Sequence, residues 1–100
     1  MFENVTFTQE QGTKNSREVV VFALSTCGFC ARGLAFLRTN NIKFSYVYVD
    51  KMDPAAKEQV KKELMDKYKE RVVFPYLILD STKVVTGFVE ETWKKEFNIQ

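Results

Sequence analysis

Cys27 and Cys30 are the only two cysteines of the 100 residues, and they stand two residues apart in Ser25-Thr26-Cys27-Gly28-Phe29-Cys30. The chain contains no histidine. That absence removes serine–histidine and cysteine–histidine nucleophiles together with the commonest metal ligand, and leaves thiols and carboxylates as the available chemistry. The pair follows the apolar run Val19 to Leu24 and precedes a helical pattern. A sulfur at such a junction lies beside the unpaired N–H groups of the helix start, whose dipole favours the thiolate. Cys27 is therefore expected to be the nucleophile, with a sizeable thiolate fraction at neutral pH, since a free thiol titrates near ~8.5 and comparable helix-start cysteines fall to roughly 3.5 to 7.5. Cys30, one turn later on the apolar stripe, is expected to be buried and protonated. The implied reaction is thiol–disulfide exchange: Cys27 attacks a substrate disulfide, and Cys30 then closes the Cys27–Cys30 bond.

Between the cysteines, Gly28 either leaves the backbone open to an approaching partner or is an ordinary loop glycine. Phe29 either offers an exposed apolar contact or packs in the core. Other uses of the pair are a permanent structural disulfide, half of a zinc site, and an iron–sulfur cluster held through Cys27 and completed by a second chain or a small thiol. The first gains little from so short a loop, and no histidine completes the second. The third stands as the alternative function, a cluster-binding or carrier dimer.

The elements that must position the cysteines can be read from pattern and punctuation. One hundred residues with 45% hydrophobic and 14% aromatic content suffice for one core without staples. Val19 to Leu24 is continuously apolar and reads as a central strand covered on both faces. From Cys30 to Thr39, the positions Cys30, Leu34 and Leu37, widened by Phe36, form a helical stripe. Asn40-Asn41 is its expected left-handed stop. Lys43 to Val49 alternates as a second strand, and a strand–helix–strand unit makes a right-handed parallel crossover. Asp53-Pro54 is a cap and first-turn proline for a helix carrying Ala56, Val60, Leu64 and Tyr68. Tyr76 to Leu79 and Lys83 to Thr86 form a hairpin around Asp80-Ser81-Thr82, and a last helix begins at Glu90 with Trp93 and Phe97 as core contacts.

This order gives an α/β fold, a four-stranded mixed sheet with helices on both faces, over residues 19–100. Residues 1–18 form an N-terminal extension with the alternation Phe2, Val5, Phe7. Any strand formed around Asn4 to Thr8 is expected to add at the sheet edge beside Lys43 to Val49. The opening residues lack the pattern of a signal peptide and no apolar run approaches membrane-spanning length, so a cytoplasmic protein without membrane partners is expected. The net charge of +2 comes from 15 basic and 13 acidic residues interleaved along the chain. Such interleaving makes no uniform basic face for nucleic acid. A monomer with no required cofactor or metal is expected.

With these residues in view, the chain resembles the glutaredoxin branch of the thioredoxin-like superfamily. The resemblance runs from Val19 to about Phe97 and rests on C-G-F-C at the strand-to-helix junction, "VVFPYLILD", and "VVTGF" before the last helix. It implies a thioredoxin fold and a cis Pro75 facing the cysteines. It also implies a Phe74 backbone that pairs with the bound substrate as an extra strand, with Gly87 and Phe88 beside the substrate. Tyr76 either lines the substrate groove or packs. C-G-F-C resembles the C-G-F-S of monothiol glutaredoxins with the serine returned to cysteine, which keeps the cluster alternative open. Glutathione-using members commonly carry a basic residue three places before the first cysteine, where this chain has Leu24. Its Gly87-Phe88 looks more like redoxins that take electrons from a flavoprotein reductase. The expected partners are disulfide-containing proteins as substrates, with a thioredoxin-type flavoprotein reductase or glutathione as electron donor.

Overall fold

The computed structural model describes residues 2 and 5–99. Its elements in chain order are β1 (Thr8–Glu10), β2 (Val19–Ala23), α1 (Gly28–Thr39), β3 (Phe44–Tyr48), α2 (Pro54–Tyr68), β4 (Tyr76–Leu79), β5 (Lys83–Thr86) and α3 (Glu90–Glu96), with a 3-10 turn at Val49–Lys51 after β3. The five strands form one sheet in the order β1-β3-β2-β4-β5. The continuous apolar character of β2 is explained by its place. It runs parallel to β3, with Val21 opposite Tyr46 and Ala23 opposite Tyr48, and antiparallel to β4, with Val19 opposite Leu79 and Phe22 opposite Tyr76.

Because side chains alternate across a strand, the two sheet faces collect different cores. Val19, Val21, Ala23, Leu77 and Leu79 face α1 and α3, where Cys30, Leu34, Leu37 and Trp93 pack against them. Phe22, Tyr76 and Ile78 face α2 and meet Val60 and Leu64. Local chemistry sets the helix limits. Asp53 Oδ1 accepts from the Ala56 N–H at 2.9 Å ahead of Pro54. Asn41 turns left-handed at φ 57° and ends the α1 region, as the Asn40-Asn41 pair predicts. In the three-residue connection 80–82, Asp80 and Ser81 both have positive φ, 53° and 61°, and the Thr82 N–H donates to the Leu79 carbonyl at 3.1 Å, a turn whose hand suits twisted antiparallel strands. At that turn Asp80 accepts from the Glu18 N–H and from Arg17 Nε, each at 2.9 Å. Among the described residues no helix is long and apolar enough to cross a membrane.

Two expectations shift. The first helix begins at Gly28 rather than Cys30, because Cys27 itself supplies the cap. The N-terminal strand does add beside β3, but as Thr8–Glu10 antiparallel to Tyr46–Phe44; of the expected span around Asn4 to Thr8, Asn4 lies outside the described residues. Phe2 and Phe7 are not strand alternation. Their rings sit 5.1 and 5.6 Å from that of Phe22, on the α2 face. Packing on Phe22 takes these rings out of water without a hydrogen-bond ladder.

After β1 the chain presses on the turn between α1 and β3. Lys14 N–H donates to the Asn41 carbonyl at 2.9 Å, and Lys43 N–H donates to the Lys14 carbonyl at 3.0 Å. Gly12 lies so close that a Cβ there would stand 2.5 to 2.6 Å from the backbone at Asn41, Ile42 and Lys43. Gly12→Ala is therefore expected to lower unfolding free energy by about 1 to 3 kcal/mol in a urea titration, the usual cost of overpacking. Stability equal to the parent's would mean that this segment does not sit against the turn.

Candidate active site

Beyond Ala23 the chain leaves the sheet and turns, the Cys27 N–H donating to the Leu24 carbonyl at 3.3 Å. Cys27 is extended (φ −96°, ψ 120°), its carbonyl accepts the first helical bond from Ala31, and its Sγ accepts from the Cys30 N–H at 3.2 Å. A sulfur thus does what serine or aspartate oxygens usually do at a helix start. Cys27 is half-buried, Cys30 is fully buried, and neither is in a disulfide. Burial pushes the Cys30 thiol up to about 12, the hydrogen bond with Cys27 adds to this, and the charges of Cys27 and Asp50 contribute less. The Leu24 N–H, donating to Cys30 Sγ at 3.4 Å, works in the opposite direction. At neutral pH Cys30 keeps its proton.

Gly28 is exposed, and no atom lies within 4 Å of where its Cβ would stand. Its φ is not in the left-handed region, so the turn does not require glycine, and what its hydrogen provides is open backbone next to Cys27. Phe29 is 56% exposed, with the Arg32 guanidinium 5.3 Å from its ring centre. Core packing of Phe29 is therefore set aside.

The Phe74–Pro75 peptide is cis. Since Phe22 lies opposite Tyr76, Phe74 and Pro75 enter the sheet at the end where β2 releases the chain toward Cys27. The Pro75 carbonyl accepts from the Gly87 N–H at 2.8 Å, and the Gly87 carbonyl accepts from Trp93 Nε1 at 3.1 Å. Gly87 adopts φ 75°, which a side chain would resist. Phe88 packs with its ring centre 4.8 Å from Trp93 and 5.8 Å from Phe36, so much of its side chain faces α1 and α3. Of the two uses expected of Tyr76, lining a groove or packing, the structure shows packing. Its side chain is fully buried on the α2 face with Phe22, Val60 and Leu64, on the opposite side of the sheet from Cys30.

One contact was not anticipated from the sequence. Asp50, exposed in the 3-10 turn after β3, accepts from the Ser25 N–H at 2.8 Å and from the Ser25 hydroxyl. Those two bonds hold the Asp50 carboxyl below the usual carboxylate range. Its signal lies in the parallel register: Ala23 opposite Tyr48 places position 25 opposite position 50. Among the described residues no group of three or more cysteine, aspartate or glutamate side chains gathers where a metal ion could be held.

The sheet order, the cysteine-capped helix and the buried second thiol define a thioredoxin-like redox protein. The glutaredoxin family model matches residues 19–84, and the chain belongs to the glutaredoxin family. Among solved structures, the glutaredoxin from Methanosarcina mazei Go1 is 25% identical over 95% of this chain and 90% of its own, with a TM-score of 0.78. Methanoredoxin from Methanosarcina acetivorans is 26% identical over 88% of this chain and 90% of its own, at 0.75. A glutaredoxin from Archaeoglobus fulgidus is 28% identical over 80% and 85%, at 0.69. No match was found among curated proteins. Family and fold together support thiol–disulfide oxidoreductase activity.

The unequal burial of the two sulfurs makes a direct prediction. Reduced protein treated at pH 7 with limiting iodoacetamide is expected to carry the label on Cys27 at least about tenfold faster than on Cys30, because alkylation requires a thiolate. Peptide mass spectrometry reads the ratio, and preferential labelling of Cys30 would contradict the assignment.

Proposed function

We propose that this protein is a dithiol oxidoreductase that reduces disulfides of proteins or small molecules through Cys27 and Cys30. The observation that carries the reading is the pairing of an accessible sulfur, held by a helix-start N–H, with a protonated sulfur in the core one turn later. Cys27 thiolate attacks one sulfur of the substrate disulfide. A Cys27–substrate bond forms, the substrate S–S bond breaks, and the first substrate thiolate leaves and takes a proton. Cys30 then loses its proton to water or to the departing group and attacks the Cys27 sulfur. The Cys27–Cys30 bond forms and the second substrate thiol departs. The substrate has gained two electrons and two protons, and the protein is left oxidised.

Gly28 and Phe29 offer open backbone and an apolar contact beside the attacking sulfur. The Phe74 backbone is suited to pair with an extended substrate segment at the Pro75 end of β4. Gly87 and the exposed part of Phe88 would border the same path, whereas Tyr76 supports it only from within the core. For re-reduction, Leu24 stands where glutathione-using relatives place a cation, and Gly87-Phe88 replaces a Gly-Gly pair. Both features favour a flavoprotein reductase over glutathione as the donor of two electrons.

Two variants test the chemistry. Cys27→Ser is expected to abolish disulfide reduction, a loss of about 10³-fold or more, since the nucleophile is gone. Cys30→Ser is expected to accumulate a mixed disulfide visible as a mass increase on Cys27. Equal tolerance of both changes would reject the reading. Supplying either thioredoxin reductase with NADPH, or glutathione with glutathione reductase, identifies the donor. Faster re-reduction with the thioredoxin-type enzyme is expected, and rapid turnover with glutathione alone would overturn that preference.

A further inference from the structure

Ser25 lies between Leu24, whose backbone touches one of the two sulfurs, and Cys27, which carries the other. On one side Leu24 donates its N–H to Cys30 Sγ at 3.4 Å, and its carbonyl accepts from the Cys27 N–H at 3.3 Å. On the other side, two residues on, is Cys27 itself. This turn lies beyond the end of β2, which stops at Ala23, so strand pairing no longer fixes it. What fixes it from the side is Asp50, both of whose oxygens are taken by Ser25, one by the N–H at 2.8 Å and the other by the hydroxyl. The Asp50 side chain therefore carries the β2–β3 connection one step past the last backbone pair, Ala23 with Tyr48.

We propose that Asp50 is a positioning residue for disulfide closure, holding through Ser25 the turn that keeps Cys27 Sγ within reach of Cys30. The proposal rests on the dithiol reading above. Closure is the step that depends on this tie. Attack on a free substrate can be reached from many approaches, but closure joins two sulfurs on one frame, and small displacements of such a frame are costly in rate.

Charge alone would have the reverse effect. The Asp50 carboxylate disfavours the Cys30 thiolate, though it is the smallest of the influences that raise that thiol. Removing it would make Cys30 a better nucleophile and speed closure if Asp50 acted only through its field. A positioning role slows closure on removal, and a bystander changes nothing. The sign of the effect distinguishes all three.

The test is a stopped-flow reaction of the reduced protein with excess dithiobis(2-nitrobenzoate). The first nitrothiobenzoate released reports attack by Cys27, and the second reports closure by Cys30. This measurement needs no natural substrate or reductase, so it succeeds or fails separately from the proposed function, which turnover with a reductase decides. Asp50→Ala is expected to slow the second release about tenfold while changing the first by less than about threefold. Ser25→Ala, which keeps the charge, should slow closure in the same sense, and Ser25→Thr, which keeps the hydroxyl, should restore it. The double variant Ser25→Ala/Asp50→Ala should be no slower than Asp50→Ala, because the two side chains form one tie. Asp80→Ala removes a carboxylate that also accepts from a backbone N–H, but at the other end of β2, and should lower stability without altering either release. Closure at the parent rate in Asp50→Ala, or faster, would overturn the proposal, as would an equal slowing by Asp80→Ala.

Discussion

The bond from the Cys30 N–H to Cys27 Sγ is the contact on which the site depends. A helix start leaves its first N–H groups without partners, and most helices satisfy one of them with an oxygen. Here α2 follows that rule with Asp53, whereas α1 uses sulfur. An oxygen cap would serve the fold at least as well, since sulfur is a weak acceptor. A cysteine at this position therefore gives the fold nothing that serine or aspartate would not, and its presence accords with the exchange chemistry proposed above. The same N–H that begins the helix points at the sulfur proposed to attack.

The second sulfur differs from the first by environment more than by sequence distance. One helical turn moves Cys30 from the half-open end of the sheet into the core that β2 and β4 share with α1 and α3. Two of the influences that keep it protonated come from Cys27, the hydrogen bond and the charge. In the dithiol reading proposed above, bonding of Cys27 to a substrate sulfur would remove both, leaving burial and the Asp50 charge against the Leu24 N–H. The proposed order of attack and closure would then follow from the contacts between the two thiols, without a histidine to carry the proton.

Much of this could be read from local rules. The covered strand at Val19, the Asp53-Pro54 start, the Asn41 stop and the hairpin at Asp80 each follow from residues within a few positions of one another. The different environments of Cys27 and Cys30 follow from a junction and a stripe. What escaped local reading required the third dimension. All four residues of β4 are buried, so alternation could not tell which face Tyr76 takes; the pairing with Phe22 decides it, and the two rings share the α2 core. Phe2, Val5 and Phe7 punctuate a polar segment as a strand might, yet they pack on the Phe22 side of the sheet instead of pairing, because apolar burial does not require a ladder. Asp50 carries no local signal in the sequence, and only the register of β3 against β2 brings it to Ser25.

That register also separates the work of the two ends of β2. At the start of the strand, Arg17, Glu18, Asp80, Ser81 and Glu96 form a set of hydrogen bonds that ties the chain entering β2 to the hairpin and to the end of α3. Exposed ion pairs contribute little singly, but several here end on backbone groups and so fix the path of the chain. At the far end, where open α/β sheets commonly meet their ligands, the backbone at Gly28 beside Cys27 is open. The sheet therefore anchors β2 at its start and leaves the cysteine end to a few directional contacts from Leu24, Ser25 and Asp50. A site built this way keeps the two sulfurs in register while the surface over Gly28 and Phe29 stays open.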